Sequence, residues 1–325
     1  MDNFITRKID REKLKRYYFL ILQLLNSKYR RSLRKVKSNF TNIDEQKTNE
    51  LYQALLDNYF NCSELSPLQK NDMENHMFNR LFAFRHRAIP WINSLMPLKE
   101  SKVLEIGCGT GCTSIALAEQ GCTLTGIDVA DIQVAKKRCE LYGLSANIMN
   151  LNATQICELD DEFDLIIFSD SMEHMTYKER IASIKQAWGM LKNQGFIIVL
   201  GAPNRLHYFD RHSSRLHFYH WLPDEIAMQY SKYSPRDACA SIGNDEMKFI
   251  RFGRGVSYHE FEIALDIRCA DFECFCMQSF LNAAVFSYAA HRSEYRFRNI
   301  LRKFGPSNIP KGFYYEQLQI AIKKT

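Results

Sequence analysis

VLEIGCGTGCTSIALAEQGCTLTGID, residues 103–128, decides how the rest of this 325-residue chain is read. Val103 to Ile106 is a short apolar run of the kind a buried parallel strand shows. Gly107-Cys108-Gly109-Thr110-Gly111 makes a tight turn, and Thr113 to Gln120 reads as the helix that follows. Gly121 ends that helix, and Cys122 to Ile127 is a second strand closing on Asp128. Strand, glycine turn, helix, strand and terminal acid make one nucleotide-binding half of a doubly wound α/β sheet. The glycines let the backbone come close to a ligand, and the acid is placed to accept from ribose hydroxyls.

A dinucleotide site needs G-x-G-x-x-G, but after Gly107 and Gly109 the third position holds Cys112. The pattern is E-x-G-x-G-x-G, with Glu105 on the strand just before the turn. A carboxylate there repels a pyrophosphate and suits a cationic, amino-acid end. The stretch resembles motif I of the class I S-adenosylmethionine-dependent methyltransferases, and Asp128 matches their ribose-binding acid. The resemblance implies S-adenosylmethionine as cofactor, with contacts at Glu105, Gly107, Cys108, Gly109, Gly111, Asp128 and Val129.

Alternation continues outward from this half. Ile132 to Tyr142 reads as a helix, Ala146 to Leu151 as the third strand, Phe163 to Phe168 as the fourth, Tyr177 to Leu191 as a helix and Phe196 to Leu200 as the fifth strand. Gly312 to Lys323, with Leu318, Ile320 and Ile322 alternating, fits the last antiparallel strand. The expected fold is a Rossmann-like, doubly wound, seven-stranded methyltransferase sheet with an N-terminal helical extension and an insertion after the fifth strand. Asn152-Ala153 follows the third strand, where the family often has an acid that meets the adenine amino group. The Asn152 oxygen is the acceptor expected in its place. Asp170 to His174 resembles the D-x-x-E-H element after the fourth strand, which adds Asp170 and Met172 on the cofactor side and His174 on the substrate side. In doubly wound sheets ligands bind beyond the carboxyl ends of the strands, and all these stretches fall there.

Residues 203–237 hold His207, His212, His217 and His220 among many aromatics. Lys248 to Leu265 shows strand-like alternation and adds Tyr258, His259 and Glu260. N-R-x-x-x-x-D-x-H through H-W-L-P, followed by G-R-G-x-S-Y-H-E-F, resembles methyltransferases of surface-polysaccharide and glycolipid biosynthesis. That suggests a glycan or other small-molecule hydroxyl as acceptor, with Asn204, Arg205 and Tyr258 as binding residues. A hydroxyl acceptor needs its proton removed, which a histidine can do near neutral pH. Position ranks His212 first as base, then His259 and His220. N-methylation of a small molecule, or a non-catalytic S-adenosylmethionine-binding partner subunit, are the alternatives. No N-P-P-Y element follows the fourth strand, which disfavours nucleic-acid bases as substrate. The histidines and the Cys269, Cys274 and Cys276 set lack metal-ligand spacing, so no metal is expected.

The net charge of +6 is uneven: residues 1–38 hold twelve Lys or Arg and three acids, net +9, so the remainder sums to −3. Residues 10–38 read as an amphipathic basic helix, suited to docking on the body or to peripheral contact with an anionic membrane. The division expected is an extension over 1–99 and a methyltransferase domain over 100–325, with the insertion at about 203–310. Ten scattered cysteines read as free thiols, and no apolar run reaches the roughly 20 residues of a membrane span. A cytoplasmic protein is expected, with membrane association through the arm.

Overall fold

The computed structural model describes residues 43–130, 132–277, 292–305 and 309–325. The basic arm expected over residues 1–38 lies outside them.

Seven strands form one sheet in the order 3-2-1-4-5-7-6. They are β1 (Lys102–Ile106), β2 (Thr123–Asp128), β3 (Asn147–Asn150), β4 (Phe163–Ser169), β5 (Leu191–Pro203), β6 (Glu273–Cys276) and β7 (Gln317–Lys323). The first five pair in parallel, and β7 runs antiparallel to both β5 and β6. The doubly wound seven-stranded sheet expected from the sequence is therefore present.

Alternation along each strand builds two cores. Val103, Leu165, Ile167, Phe196, Ile198 and Leu200 face α5 (Cys112–Ala118) and α6 (Gln133–Tyr142), together with Trp91 and Ile92 of the extension. Leu104, Ile106, Ile166, Phe168, Ile197, Val199 and Ile320 face α7 (Tyr177–Met190), together with Phe261 and Phe313. The extension thus covers one face of the sheet, and the region after β5 helps cover the other.

The extension opens with α1 (Glu45–Leu55), capped by Asp44 and continued by a π-helical turn, Leu56–Phe60. A second helical run starts at Ser66-Pro67 with a full Ser66/Gln69 capping box. It comprises α2 (Pro67–Glu74), a π turn Asn75–Asn79, α3 (Arg80–Ala83), a π turn Phe84–Ala88 and α4 (Ile89–Leu95). Leu51, Leu55, Met73 and Met77 pack on Val134 and Leu141 of α6.

After β5 come α8 (Asp224–Tyr230), α9 (Asp237–Ala240), α10 (Glu246–Phe252) and α11 (Tyr258–Leu265). A small core of Tyr219, Ala227, Cys239, Ile242 and Phe249 holds the first three together. The strand expected over Lys248–Leu265 is instead two helices. The Asp245 side chain accepts from Lys248 N–H, and Ser257 with Glu260 forms a capping box. These caps start helices on either side of Gly253-Arg254-Gly255, and S-Y-H-E is the signature that outweighs the apparent alternation. Helix α12 (Arg292–Phe304) precedes β7.

Candidate functional site

A cavity of about 670 Å3 opens at the carboxyl ends of β1, β2, β3 and β4. Its floor is the glycine turn. Gly107 and Cys108 N–H donate to Ile127 O, and Gly111 N–H donates to Cys108 O. Gly107 has φ +87°, and a Cβ there would stand 2.5 Å from the Ser171 Cβ. Only glycine lets β1 and the β4 end meet this closely. A Cβ at Gly109 would meet no protein atom within 4 Å, so glycine there leaves backbone open to the cavity. Gly109 N–H donates to Asp128 Oδ2 at 2.8 Å and Ala130 N–H to Oδ1 at 2.9 Å. Asp128 is thereby fixed on the wall with lone pairs to spare, since a carboxylate accepts at about four sites.

Val129, Leu151, Asn152 and Ala153 continue this wall. Asn152 Oδ1 accepts from Thr154 N–H and Oγ1–H, both at 2.9 Å, capping the short helix Ala153–Leu159. Its oxygen is occupied, which corrects the expected acceptor role, and its amide Nδ2 is the polar group left for a ligand. At the β4 end, Ser169, Asp170 and Ser171 line the cavity.

The opposite wall belongs to the extension: Tyr59, His76, Arg80 and Phe84. Tyr59, His76 and Phe84 all sit in π turns, a distortion frequent where helix side chains serve a site. Arg138, fully buried on α6, locks this wall to the turn. Its Nε–H donates to Thr110 O at 2.7 Å and its Nη2–H to His76 O at 2.8 Å. His76 Nδ1 lies 2.9 Å from Thr110 Oγ1. Burial, then Arg80 and Arg138, push the His76 pKa down to about 3, so the ring is neutral.

On the third side is a cluster around Glu173, which follows β4 and is wholly buried. Neither carboxyl oxygen has a hydrogen-bond partner, and burial, then Asp170, push its pKa up to about 8. Its Oε1 lies 3.9 Å from His174 Nε2 and 3.5 Å from His212 Nε2. Both histidines line the cavity, their rings 6.1 Å apart. His174 Nδ1 lies 2.7 Å from Arg251 O. A carbonyl only accepts, so Nδ1 carries a proton, and in the neutral ring Nε2 presents the lone pair. Arg251 is held in turn by a bidentate pair with Glu179, at 2.7 and 2.6 Å. For His212, burial and then His174 push the pKa down to about 4.

His212 is placed by Asp210. That buried carboxylate accepts from the N–H groups of His212, Ser213 and Ser214 and from Ser214 Oγ–H. His220 Nε2 lies 3.2 Å from it, and His220 Nδ1 accepts from Gly255 N–H.

Of the residues expected in the site, Gly107, Cys108, Gly109, Asp128, Val129, Asn152, Ala153, Asp170, His174 and His212 line the cavity. The others are placed elsewhere. Glu105 is buried beneath the turn, accepting from Ser114 Oγ–H, with a pKa that burial raises to about 8. Gly111 faces Ala135 of α6, and Met172 is buried in the second core. His220 is committed to the Asp210 loop. Asn204 is spent donating to Phe313 O and Tyr315 O, and Arg205 N–H pairs with Val256 O. Tyr258 stacks on His259 at 3.9 Å and packs edge-on against Phe313, and His259 is exposed. Both open α11, because the strand expected to return them to the cavity is a helix.

Tyr59, Phe84, Met175, Glu179 and Arg251 are cavity residues that sequence reasoning missed. Thr176-x-x-Glu179 is a capping-box signature and hinted at an ordered Glu179, but the phase of the π turns leaves no pattern in the sequence. Among the described residues no three metal-ligating side chains cluster.

Residues 103–195 match the family model described as a methyltransferase domain. The ubiquinone biosynthesis O-methyltransferase of Paracidovorax citrulli is 29% identical over 140 residues, 41% of this chain and 56% of that protein. The protein of that name in Pseudomonas aeruginosa is 31% identical over 120 residues, 36% of this chain and 50% of that protein. The chain thus spans about half the length of these curated relatives. The solved magnesium protoporphyrin IX methyltransferase of Synechocystis PCC 6803 is 16% identical, covering 70% of this chain and 90% of its own, with TM-score 0.43. The family match spans the glycine turn, its acid and the first four strands, so residues 103–195 form a methyltransferase domain, set in a sheet with the strand order 3-2-1-4-5-7-6.

Proposed function

We propose that this chain transfers the methyl group of S-adenosylmethionine to a hydroxyl of a small, partly apolar acceptor, with His174 as general base. The observation that carries the reading is the His174 ring: its Nδ1 is held by a backbone carbonyl, and its Nε2, 3.9 Å from Glu173 Oε1, lies at the end of β4 in the cavity wall.

The residues present fit the cofactor. The cavity volume lies within the roughly 300–1,000 Å3 of small-molecule sites, and the open backbone at Gly109 stands beside a carboxylate with unused lone pairs. When bound, S-adenosylmethionine supplies a sulfonium-activated methyl. Asp128 would accept from its ribose hydroxyls and Asn152 Nδ2 would donate to its base. Asp170 and Arg80 both line the cavity, and among the described residues neither is in an ion pair. This unpaired acid and base suit the zwitterionic amino-acid end, the role the sequence had suggested for Glu105.

The chain's work in the reaction is alignment and proton removal. Tyr59, Phe84 and Met175 offer apolar walls for the acceptor, and His174 Nε2 takes the hydroxyl proton as the oxygen–methyl bond forms. His212, with its lowered pKa, is the weaker base. The residues that suggested a sugar, Asn204, Arg205 and Tyr258, stand outside the cavity, so the walls favour a phenol-like acceptor. The names of the curated relatives add support for oxygen as the methylated atom.

The test has two parts. Calorimetry on Asp128→Ala should show S-adenosylmethionine binding weakened by about 1–3 kcal/mol, the cost of unpaired polar groups; unchanged affinity in a folded variant rules out the cofactor pose. Formation of S-adenosylhomocysteine is then measured with phenols, sugars and primary amines. Turnover with amines alone overturns the hydroxyl reading.

A further inference from the structure

We propose that the face made by α12 and the loop around Trp221 docks on an anionic lipid surface. The inference is independent of the reaction proposed above.

Phe218 and Trp221 are 47% and 49% exposed, and their rings are 4.9 Å apart. Trp221 also lies 6.2 Å from the ring of Phe297 on α12, and Tyr208 packs on the same ring at 4.8 Å. These contacts join the loop to the helix. Phe297 and Leu301 form the helix line that faces inward, Leu301 packing on the second core. One step round the helix, Arg296, Ile300 and Phe304 recur every four residues, so they share a line. Ile300 is 52% and Phe304 76% exposed. The apolar surface therefore runs from Phe218 and Trp221 across Phe297 to Ile300 and Phe304.

The charge along α12 is mainly basic, with Glu294 as the acid among Arg292, Arg296, Arg298, Arg302 and Lys303. Residues 296–304 carry four basic side chains and no acid. Arg298 is turned in over the Tyr315 ring, whereas Arg296, Arg302 and Lys303 are exposed. Lys303 Nζ lies 5.4 Å from the Phe304 ring, the arrangement in which an aliphatic stem lies along apolar surface and the ammonium reaches outward.

The occupant must accept aromatic side chains and be negative. A second copy of this face fails the charge requirement, because a two-fold contact would bring Arg296, Arg302 and Lys303 against their equivalents. The interface of an anionic bilayer meets both requirements: aromatic rings settle at the headgroup level, and basic side chains meet acidic lipids. Contact is peripheral at this face, since no helix among the described residues is long and apolar enough to cross a membrane.

The test uses the full chain with vesicles of phosphatidylcholine and phosphatidylglycerol whose acyl chains are brominated near the headgroup. Of the three tryptophans, Trp91 is buried, Trp188 is partly buried against the second core and Trp221 is half exposed, so the difference in bromine quenching between wild type and Trp221→Phe reports Trp221. Wild-type emission should be quenched, and the quenching should disappear in Trp221→Phe. Cosedimentation of Arg296→Gln/Lys303→Gln should fall roughly 25-fold at low salt, from about 1 kcal/mol per basic residue. Vesicle binding without Trp221 quenching would show that another part of the chain makes the contact, and would overturn the proposal. So would quenching that persists in Trp221→Phe, the absence of vesicle binding, or self-association that depends on Trp221.

Discussion

The two ends of the site, residues 103–174 and 204–265, both bring polar side chains to the cavity, and they do it by different means. In the first, backbone geometry does the placing: strand ends and positive-φ glycines leave the Gly109 backbone open to the cavity and its N–H holding Asp128 on the wall where a ligand can reach it. In the second, polar side chains are consumed in holding the chain together. Asp210 gathers three backbone N–H groups, a hydroxyl and His220. Arg254 donates to Tyr219 O and Leu222 O and pairs with Asp224, and Arg180 pairs with Glu260. A sheet positions groups with its ladder, so its polar residues stay free. A loop-rich insertion has no ladder, so its polar residues are the scaffold. Of the histidines there, His212 alone lines the cavity among the described residues.

The sharpest break of this comparison is the exchange of one histidine from each side. His174→Ala should lower turnover by about 10²–10⁴-fold, the usual contribution of a general base, while cofactor affinity changes little. His212→Ala should cost less, because burial lowers its pKa to about 4, making it a weak base, and its Nε2 lies nearer Glu173 Oε1, 3.5 Å against 3.9 Å for His174. Steady-state rates with calorimetry on both variants measure the difference. The reverse order would return the base to the insertion.

The scaffold role is tested by Asp210→Ala, which leaves several buried donors unpaired. Breaking a buried charged network by removing one partner costs roughly 3–5 kcal/mol, so the melting temperature should drop strongly. The same group has a pH signature. Its backbone N–H bonds and the nearby His220 hold the Asp210 pKa below the usual carboxylate value against the cost of burial. A depressed carboxylate contributes stability that is present above its unfolded pKa and is lost as pH falls through the folded one. Wild type should therefore lose stability below about pH 4, and Asp210→Ala should lose less.

Glu173 should behave in the opposite way. Its folded pKa, near 8, exceeds the unfolded value, so its contribution is complete below about pH 4.5 and fades as pH rises toward 8. Glu173→Gln keeps the shape and removes the titration. It should match wild type at pH 5 and exceed it at pH 8 by roughly 1–3 kcal/mol, the desolvation cost of an unpaired buried group. Denaturant melts at the two pH values decide it. Equal stability at both would mean that the carboxyl finds a partner on ionising.

These contrasts also explain what could be read in advance. The β1–α5–β2 unit was legible because its glycines and Asp128 are required by backbone geometry, and such requirements leave a fixed pattern. The succession of strands and helices from β1 to β5 followed from the alternation of apolar segments. The rim residues after β4 were legible as a motif, but Glu173 and His174 could not be separated by role, because their difference is burial. In the extension, His76 and Arg80 were candidates from their place on a helix that could cover the cofactor end, but Tyr59 and Phe84 were not, since a π turn shifts a helix face by one residue without a sequence mark. Glu105 was misplaced because the choice between facing a ligand and facing Ser114 is made by packing. Histidine density misled most: position after the fifth strand suggested a base, and tertiary contacts made His220 a strut.

The weakest effect is predicted where the sequence expected one of the strongest. His259 sits at the start of α11, exposed, stacked on Tyr258 and 3.2 Å from Ser257 Oγ. Two features could give it a structural role. Its ring covers part of Tyr258, and it neighbours the Ser257–Glu260 capping box. The capping box is made by the Ser257 and Glu260 side chains with the backbone, so it survives loss of the imidazole, and the stacked pair is open to water. Surface substitutions away from buried features usually fall within about 0.5 kcal/mol. His259→Ala should therefore leave the melting temperature nearly unchanged and turnover at the wild-type value. Ser257→Ala, which removes the cap itself, should cost about 1 kcal/mol of stability. A loss of turnover in His259→Ala with full cofactor binding would mean that α11 moves toward the cavity when the acceptor binds, and the division between a free sheet rim and a committed insertion would have to be redrawn at that helix.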